Sequence, residues 1–120
     1  MTSPVPTSGK YVSGSFFYNI RRRALKRGID FDLSLDYLDQ LIESQDFRCV
    51  YTGMQIDAKP RRKATASLDR IDSSKGYVEG NVQFVQIAVN FAKHSCSEED
   101  FLSLISDIYR HRIGKENVLL

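Results

Sequence analysis

Cysteine and histidine are scarce in this chain of 120 residues, with two of each, and no apolar run approaches the roughly 18 residues a membrane span needs. Each scarcity excludes something. Cys49 and Cys96 lie far apart in different contexts, so they offer no disulfide framework and read as reduced thiols. Nor do they make a structural zinc site by themselves, since that takes four Cys or His ligands and the only histidines are His94 and His111. The opening residues, MTSPVPTSGK, lack the basic-then-apolar layout of a secretory signal, so a cytoplasmic, reducing setting is expected. Internal repeats and low-complexity tracts are also missing.

What is present suits one globular domain: 42% hydrophobic and 27% charged residues in a length that supports a single modest core. The formal net charge of +2 says little, but its distribution is uneven. Lys10, Arg21, Arg22, Arg23, Lys26 and Arg27 precede Asp30, and Lys59, Arg61, Arg62, Lys63 and Arg70 surround Asp69. Between these basic blocks, residues 32–46 carry five carboxylates and no base. Such segregation fits a surface for a polyanion, because each neutralised phosphate releases counterions. A single block would equally be a solvated helix face, but two favour nucleic acid.

A Pro/Ser-rich tail over 1–12 is expected to be mobile, with one domain over 13–114. In "SGSFFYNIRRRALKRG", Phe17, Ile20 and Ala24 form a stripe beside arginines and Gly28 ends it, which predicts a basic helix. "DFDL" adds a short extended piece, and Ser34 is the expected N-cap of a second helix with Leu35, Leu38, Leu41 and Ile42 at helical spacing. "RCVYTGMQID" reads as extended chain around a Thr-Gly turn, and "AKPRRKA" as a basic loop. Then come a strand in "TASLDRI", a turn-rich "DSSKGYVEG" with Gly76 and Gly80 at special backbone angles, a strand in "NVQFV" and a helix in "QIAVNFAKH". Val82, Phe84 and Phe91 read as core. A last helix, capped by Ser97, carries Phe101, Leu102, Ile105 and Ile108 on its expected buried side and ends in basic residues before Gly114.

Residues 90 and 94 are four apart on one helix and therefore share a face. Asn90 and His94 opposite the strand carboxylate Asp69 would form half the shell of a divalent cation. Magnesium takes about six oxygens and keeps several waters, so Asp69, Asn90 and phosphate oxygens would suffice. Each residue alone has a plainer reading, as a cap or a solvated side chain; the order and spacing carry the inference.

The stretch from Asp69-Arg70 through Asn81 to Asn90 resembles the ββα-metal motif of the HNH endonucleases: an Asp-His pair on one strand, an Asn opening the next, and Asn or His on the helix that follows. The resemblance covers residues 48–94, with the ββα core at about 64–94, and extends loosely toward the N-terminus in the manner of small phage-type members. It implies an α+β fold, a ββα-metal core with flanking N- and C-terminal helices, in a phage-encoded or bacterial protein. The activity implied is metal-dependent hydrolysis of phosphodiester bonds in double-stranded DNA. Asp69, Asn90 and His94 would be ligands of Mg²⁺ or Mn²⁺, Asn81 would brace the loop, and Arg21, Arg22, Arg23, Lys26, Arg27, Arg61, Arg62 and Lys63 would contact phosphates. Cutting both strands would favour a homodimer, and nicking a monomer.

Two departures from the pattern matter. Where many relatives carry two Cys-x-x-Cys halves of a zinc knuckle, this chain has Cys49, Thr52, Gln86 and Val89, so no structural zinc is expected. Arg70 stands where the family usually has the histidine that activates water, and a guanidinium cannot accept a proton. Tyr51, Tyr77, His94 or a metal-held hydroxide would have to replace it. The alternative reading is a catalytically inactive DNA-binding module of the same fold.

Overall fold

The computed structural model describes residues 8–59 and 64–114. Arg61, Arg62 and Lys63, expected at phosphates, lie outside the described residues.

Helix α1 spans Gly14–Lys26, with the Ser13 hydroxyl accepting from the Phe16 N–H at its start. Phe17, Ile20 and Ala24 form its buried stripe and leave the arginines outside. The body begins earlier than the boundary expected at residue 13. Val12 is fully buried and pairs with Ala58, while the Asp39 carboxylate accepts the N–H groups of Lys10, Tyr11 and Val12 at 2.7, 2.9 and 2.9 Å. Residues 8–12 are thus tied to α2, the Leu35–Ser44 helix that Ser34 caps.

Between these helices the two-residue strand β1 (Phe31–Asp32) pairs in parallel with β3 (Tyr77–Val78). The approach is close: a Cβ on Gly76 would lie 2.6 Å from the Asp30 carbonyl oxygen. Gly76 is therefore required for space and not for backbone angle, whereas Gly80, at φ 87°, occupies the left-handed region expected of both. The segment around Thr52-Gly53 forms the expected turn, closed by an isolated Arg48–Gln55 bridge.

The centre of the molecule is an antiparallel pair, β2 (Ala66–Arg70) with β4 (Val82–Gln86), and α3 (Ile87–Lys93), which follows β4 without a linker. Leu68 and Phe84 face each other across the pair and belong to the core with Val12, Phe17, Leu38, Ile42 and Val85. Because α3 starts where β4 ends, with Gln86 as its N-cap, the helix folds back over β2.

Two expectations about the core are overturned. Phe91 is 80% exposed, because on α3 it points away from β2 while Asn90 and Lys93 face it. The final helix α4 (Glu98–Arg112) buries only Phe101; Leu102, Ile105 and Ile108 are exposed. Their spacing is helical, but the helix leaves the body after its first turn, in a molecule of 64 × 29 × 23 Å.

No helix among the described residues is long and apolar enough to cross a membrane.

Candidate active site

Side chains two apart on a strand share a face. Ser67 and Asp69 of β2 therefore point together, toward Asn90 and Lys93, three apart on α3. The Asn90 side-chain amide donates to Ser67 Oγ at 2.6 Å, and Lys93 Nζ donates to Asp69 Oδ1 at 3.2 Å and to the Arg70 carbonyl at 3.3 Å. Gln83, opposite Asp69 in the strand register, donates to Asp69 Oδ2 at 2.9 Å. Asp69 is 3% exposed and Lys93 not at all, so this is a buried, hydrogen-bonded ion pair.

The same amide of Gln83 donates to the Tyr51 hydroxyl at 3.2 Å, and that hydroxyl donates to Glu98 Oε1 at 3.1 Å. Burial, with the negative charges of Glu98 and Asp69 adding to it, pushes the Tyr51 phenol up to about 12. At neutral pH it is a proton donor inside a network, unsuited to accepting a proton from water.

Strict alternation would send Arg70 to the face opposite Asp69, but β2 ends at Arg70. The arginine side chain turns onto the loop it precedes. Its Nη1 donates to the carbonyls of Ser73 and Lys75, both at 2.9 Å, and the guanidinium lies over the Tyr77 ring, 5.3 Å from its centroid. Asn81 holds the same loop from the other side. Its Oδ1 accepts from the Asp72 N–H at 2.9 Å, and its Nδ2 donates to the carbonyls of Asp72 and Gly76 at 3.1 and 2.9 Å. Hydrogen bonds from the Ser74 hydroxyl and N–H, with Lys75 and Arg70 nearby, hold the Asp72 carboxyl below its usual range. The loop over 71–76 is thus tied at three points by polar side chains.

A cleft of about 720 Å³ lies between α1 and the ββα core. Ser67, Asp69, Arg70, Tyr77, Asn90 and His94 line one wall, and Arg23, Lys26 and Arg27 of α1 line the other. His94 closes α3 with φ 49° and is exposed, its Nδ1 3.2 Å from the Ser95 hydroxyl. Arg21 and Arg22 are exposed but lie outside the cleft lining, on another side of α1. Tyr51 also lies outside it.

The donor set suits a hard divalent cation. Asp69 supplies carboxylate oxygens, Asn90 Oδ1 takes no hydrogen bond among the described residues, and Ser67 Oγ is adjacent. An ionised carboxylate has about four lone-pair sites, of which Gln83 and Lys93 take two. One carboxylate, one amide oxygen, waters and phosphate oxygens fit magnesium or manganese. His94 contributes to the same wall, but no cluster of three His, Cys, Asp or Glu side chains occurs among the described residues.

Sequence reasoning missed Ser67, Gln83 and Lys93. Each was within reach of simple periodicity: Ser67 two before Asp69 on its strand, Gln83 across the register, Lys93 one helical turn after Asn90.

At the zinc-knuckle positions, polar contacts join the same two segments. Thr52 Oγ1 donates to Gln86 Oε1 at 2.7 Å, and the Gln86 N–H donates to Cys49 Sγ at 3.3 Å. Burial pushes the Cys49 thiol up, but hydrogen bonds with Thr52, Gln86 and Tyr51 outweigh it and leave the thiol below its ordinary value. Val89 packs against the core.

No family model matches the chain. It is 28% identical over 94 residues, 78% of its length, to a protein of Enterobacteria phage T4 described as an uncharacterized 29.0 kDa protein in the dda-modA intergenic region. The chain spans 36% of that relative's length. Among solved structures it is similar to the rare-cutting HNH restriction endonuclease PacI, with a TM-score of 0.60 and 20% sequence identity over 95% of this chain and 93% of that one. With its antiparallel β2–β4 pair running into α3, the fold of this chain is the α+β, ββα fold of the HNH endonucleases.

Proposed function

We propose that this protein is a metal-dependent DNA endonuclease that hydrolyses phosphodiester bonds in the cleft between α1 and the ββα core. One observation carries the reading: Asp69, Arg70, Asn90 and His94 line one wall of a cleft whose facing wall presents Arg23, Lys26 and Arg27. A nucleic-acid backbone laid in that cleft meets cations on both sides. The shared fold with an HNH restriction endonuclease, and the similarity to a phage protein, support the same reading.

Asp69 and Asn90 would hold Mg²⁺ or Mn²⁺, with Ser67 fixing the Asn90 amide so that its carbonyl oxygen is turned to the cation. When bound, such a cation stabilises the charge that develops on the scissile phosphate and its leaving oxygen. Arg70 keeps guanidinium N–H groups beyond the Nη1 bonds to the loop, and these donate to a non-bridging phosphate oxygen. Asn81 positions Arg70 through the loop both residues grip. For the proton of the attacking water, the cleft offers the imidazole of His94, which can accept where a guanidinium cannot. Tyr51, high in its proton affinity and committed to Glu98, is set aside from that role.

The buried Lys93–Asp69 pair favours a second reading. An Asp whose two oxygens are already engaged by Lys93 and Gln83 is also what a DNA-binding module without catalysis would carry. Plasmid nicking with Mg²⁺ or Mn²⁺ against chelator separates the two. Retarded DNA without metal-dependent nicks rejects the endonuclease and leaves the binding module.

A further inference from the structure

Helix α4 presents an apolar face that the other described residues leave exposed. Among the described residues it is held to the body at its first turn, where Phe101 packs edge-on against Tyr51, centroids 5.4 Å apart, and Glu98 accepts from the Tyr51 hydroxyl. Beyond it, Leu102, Leu104, Ile105, Ile108, Tyr109 and Ile113 are each 43–58% exposed. At 100° per residue they cover about half the helix circumference, with Ser103, Ser106 and Arg110 behind. These six side chains expose on the order of 500 Å², large for one short helix.

Charge says what covers it. The first turn carries Glu98, Glu99 and Asp100, and the last turn Arg110, His111 and Arg112. A second α4 laid parallel would set acid on acid and base on base. Laid antiparallel about a two-fold axis at Ile105, the middle residue of the helix, it sets each acidic turn against a basic one. That register places Glu98 opposite Arg112 and Leu102 opposite Ile108, and at 100° per residue both charged residues share the angular span of the apolar arc, one at each end of the helix. Arg110 is already paired with Asp107 at 2.6 Å, whereas Arg112 forms no ion pair among the described residues. The face is thus self-complementary, as a two-fold interface requires.

We infer that α4 pairs antiparallel with α4 of a second copy of this chain, forming a homodimer whose interface centres on Ile105 and is framed by reciprocal Glu98–Arg112 ion pairs. The inference is independent of the chemistry in the cleft.

The full-length protein is tested by sedimentation equilibrium. The wild type is expected at about twice the 13.7 kDa chain mass. Ile105→Glu is expected to weaken the dimer by more than about tenfold, with its circular dichroism unchanged and its thermal melt matching that of the wild type diluted to the monomer, because the site is exposed in the single chain. Arg112→Glu is expected to weaken it by facing Glu98 of the other copy, and adding Glu98→Arg in the same chain is expected to restore it. A wild type that stays monomeric at all micromolar concentrations overturns the inference. So does a dimer that survives both Ile105→Glu and Arg112→Glu, or a double charge swap that fails to recover association.

Discussion

Lys93 Nζ lies 3.2 Å from Asp69 Oδ1, with Lys93 fully buried and Asp69 3% exposed where it lines the cleft. The pair ties α3 to β2 at the floor of the cleft. Removing one partner of a buried pair strands a charge, which typically costs about 3–5 kcal/mol. Lys93→Met is expected to lower stability by that amount in urea titrations. Exchanging both residues for apolar ones, Asp69→Leu with Lys93→Met, is expected to recover part of it, the buried Gln83 amide having lost one acceptor.

For the metal assignment, Asp69→Asn keeps the shape of the side chain and removes its charge, and Asn90→Ala removes the amide oxygen and the Ser67 contact. Both are expected to abolish metal-dependent cleavage while leaving DNA affinity, read by gel retardation, within a few-fold of wild type. Full cleavage by either variant contradicts the assignment.

If His94 takes the proton from water, His94→Ala lowers the cleavage rate by about 10²–10⁴-fold, and Tyr51→Phe leaves it largely intact. The reverse pattern transfers the role to Tyr51.

Tyr51 has its own signature in stability. An unfolded chain releases this proton near 10.0, whereas the folded protein holds it to about 12. Stability linked to Tyr51 is therefore complete below pH 10 and lost as pH rises toward 12. Tyr51→Phe is expected to flatten this alkaline loss, measured by chemical denaturation across that window.

The two faces of α1 are expected to behave differently toward DNA. Each lost phosphate contact lowers the slope of log affinity against log salt by about 0.9. Arg23→Ala with Arg27→Ala, in the cleft wall, is expected to lower it by one to two such contacts. Arg21→Ala with Arg22→Ala, outside the wall, is expected to change it less.

The first two helices were legible because local signals decide them: Ser34 caps α2, and Phe17, Ile20 and Ala24 repeat on α1 over one buried face. The order strand, loop, strand, helix was legible in "TASLDRI", "DSSKGYVEG", "NVQFV" and "QIAVNFAKH" for the same reason, whereas Asp69, Asn81 and Asn90 marked it through their resemblance to the HNH motif. Burial across elements was not. Periodicity finds an apolar stripe on α4 but cannot say whether the chain covers it, and it treats Phe91 as core when α3 turns that residue outward. Nor does composition single out Lys93, although the one buried lysine of the described residues answers the one buried aspartate.

The central claim is that the cleft cuts DNA, and conversion of supercoiled plasmid to nicked or linear form tests it most directly. With Mg²⁺ or Mn²⁺ the wild-type protein is expected to produce nicked or linear product, chelator to stop it, and Asn90→Ala to fail despite binding the plasmid. Tight binding with no metal-dependent product from the wild type would contradict the account.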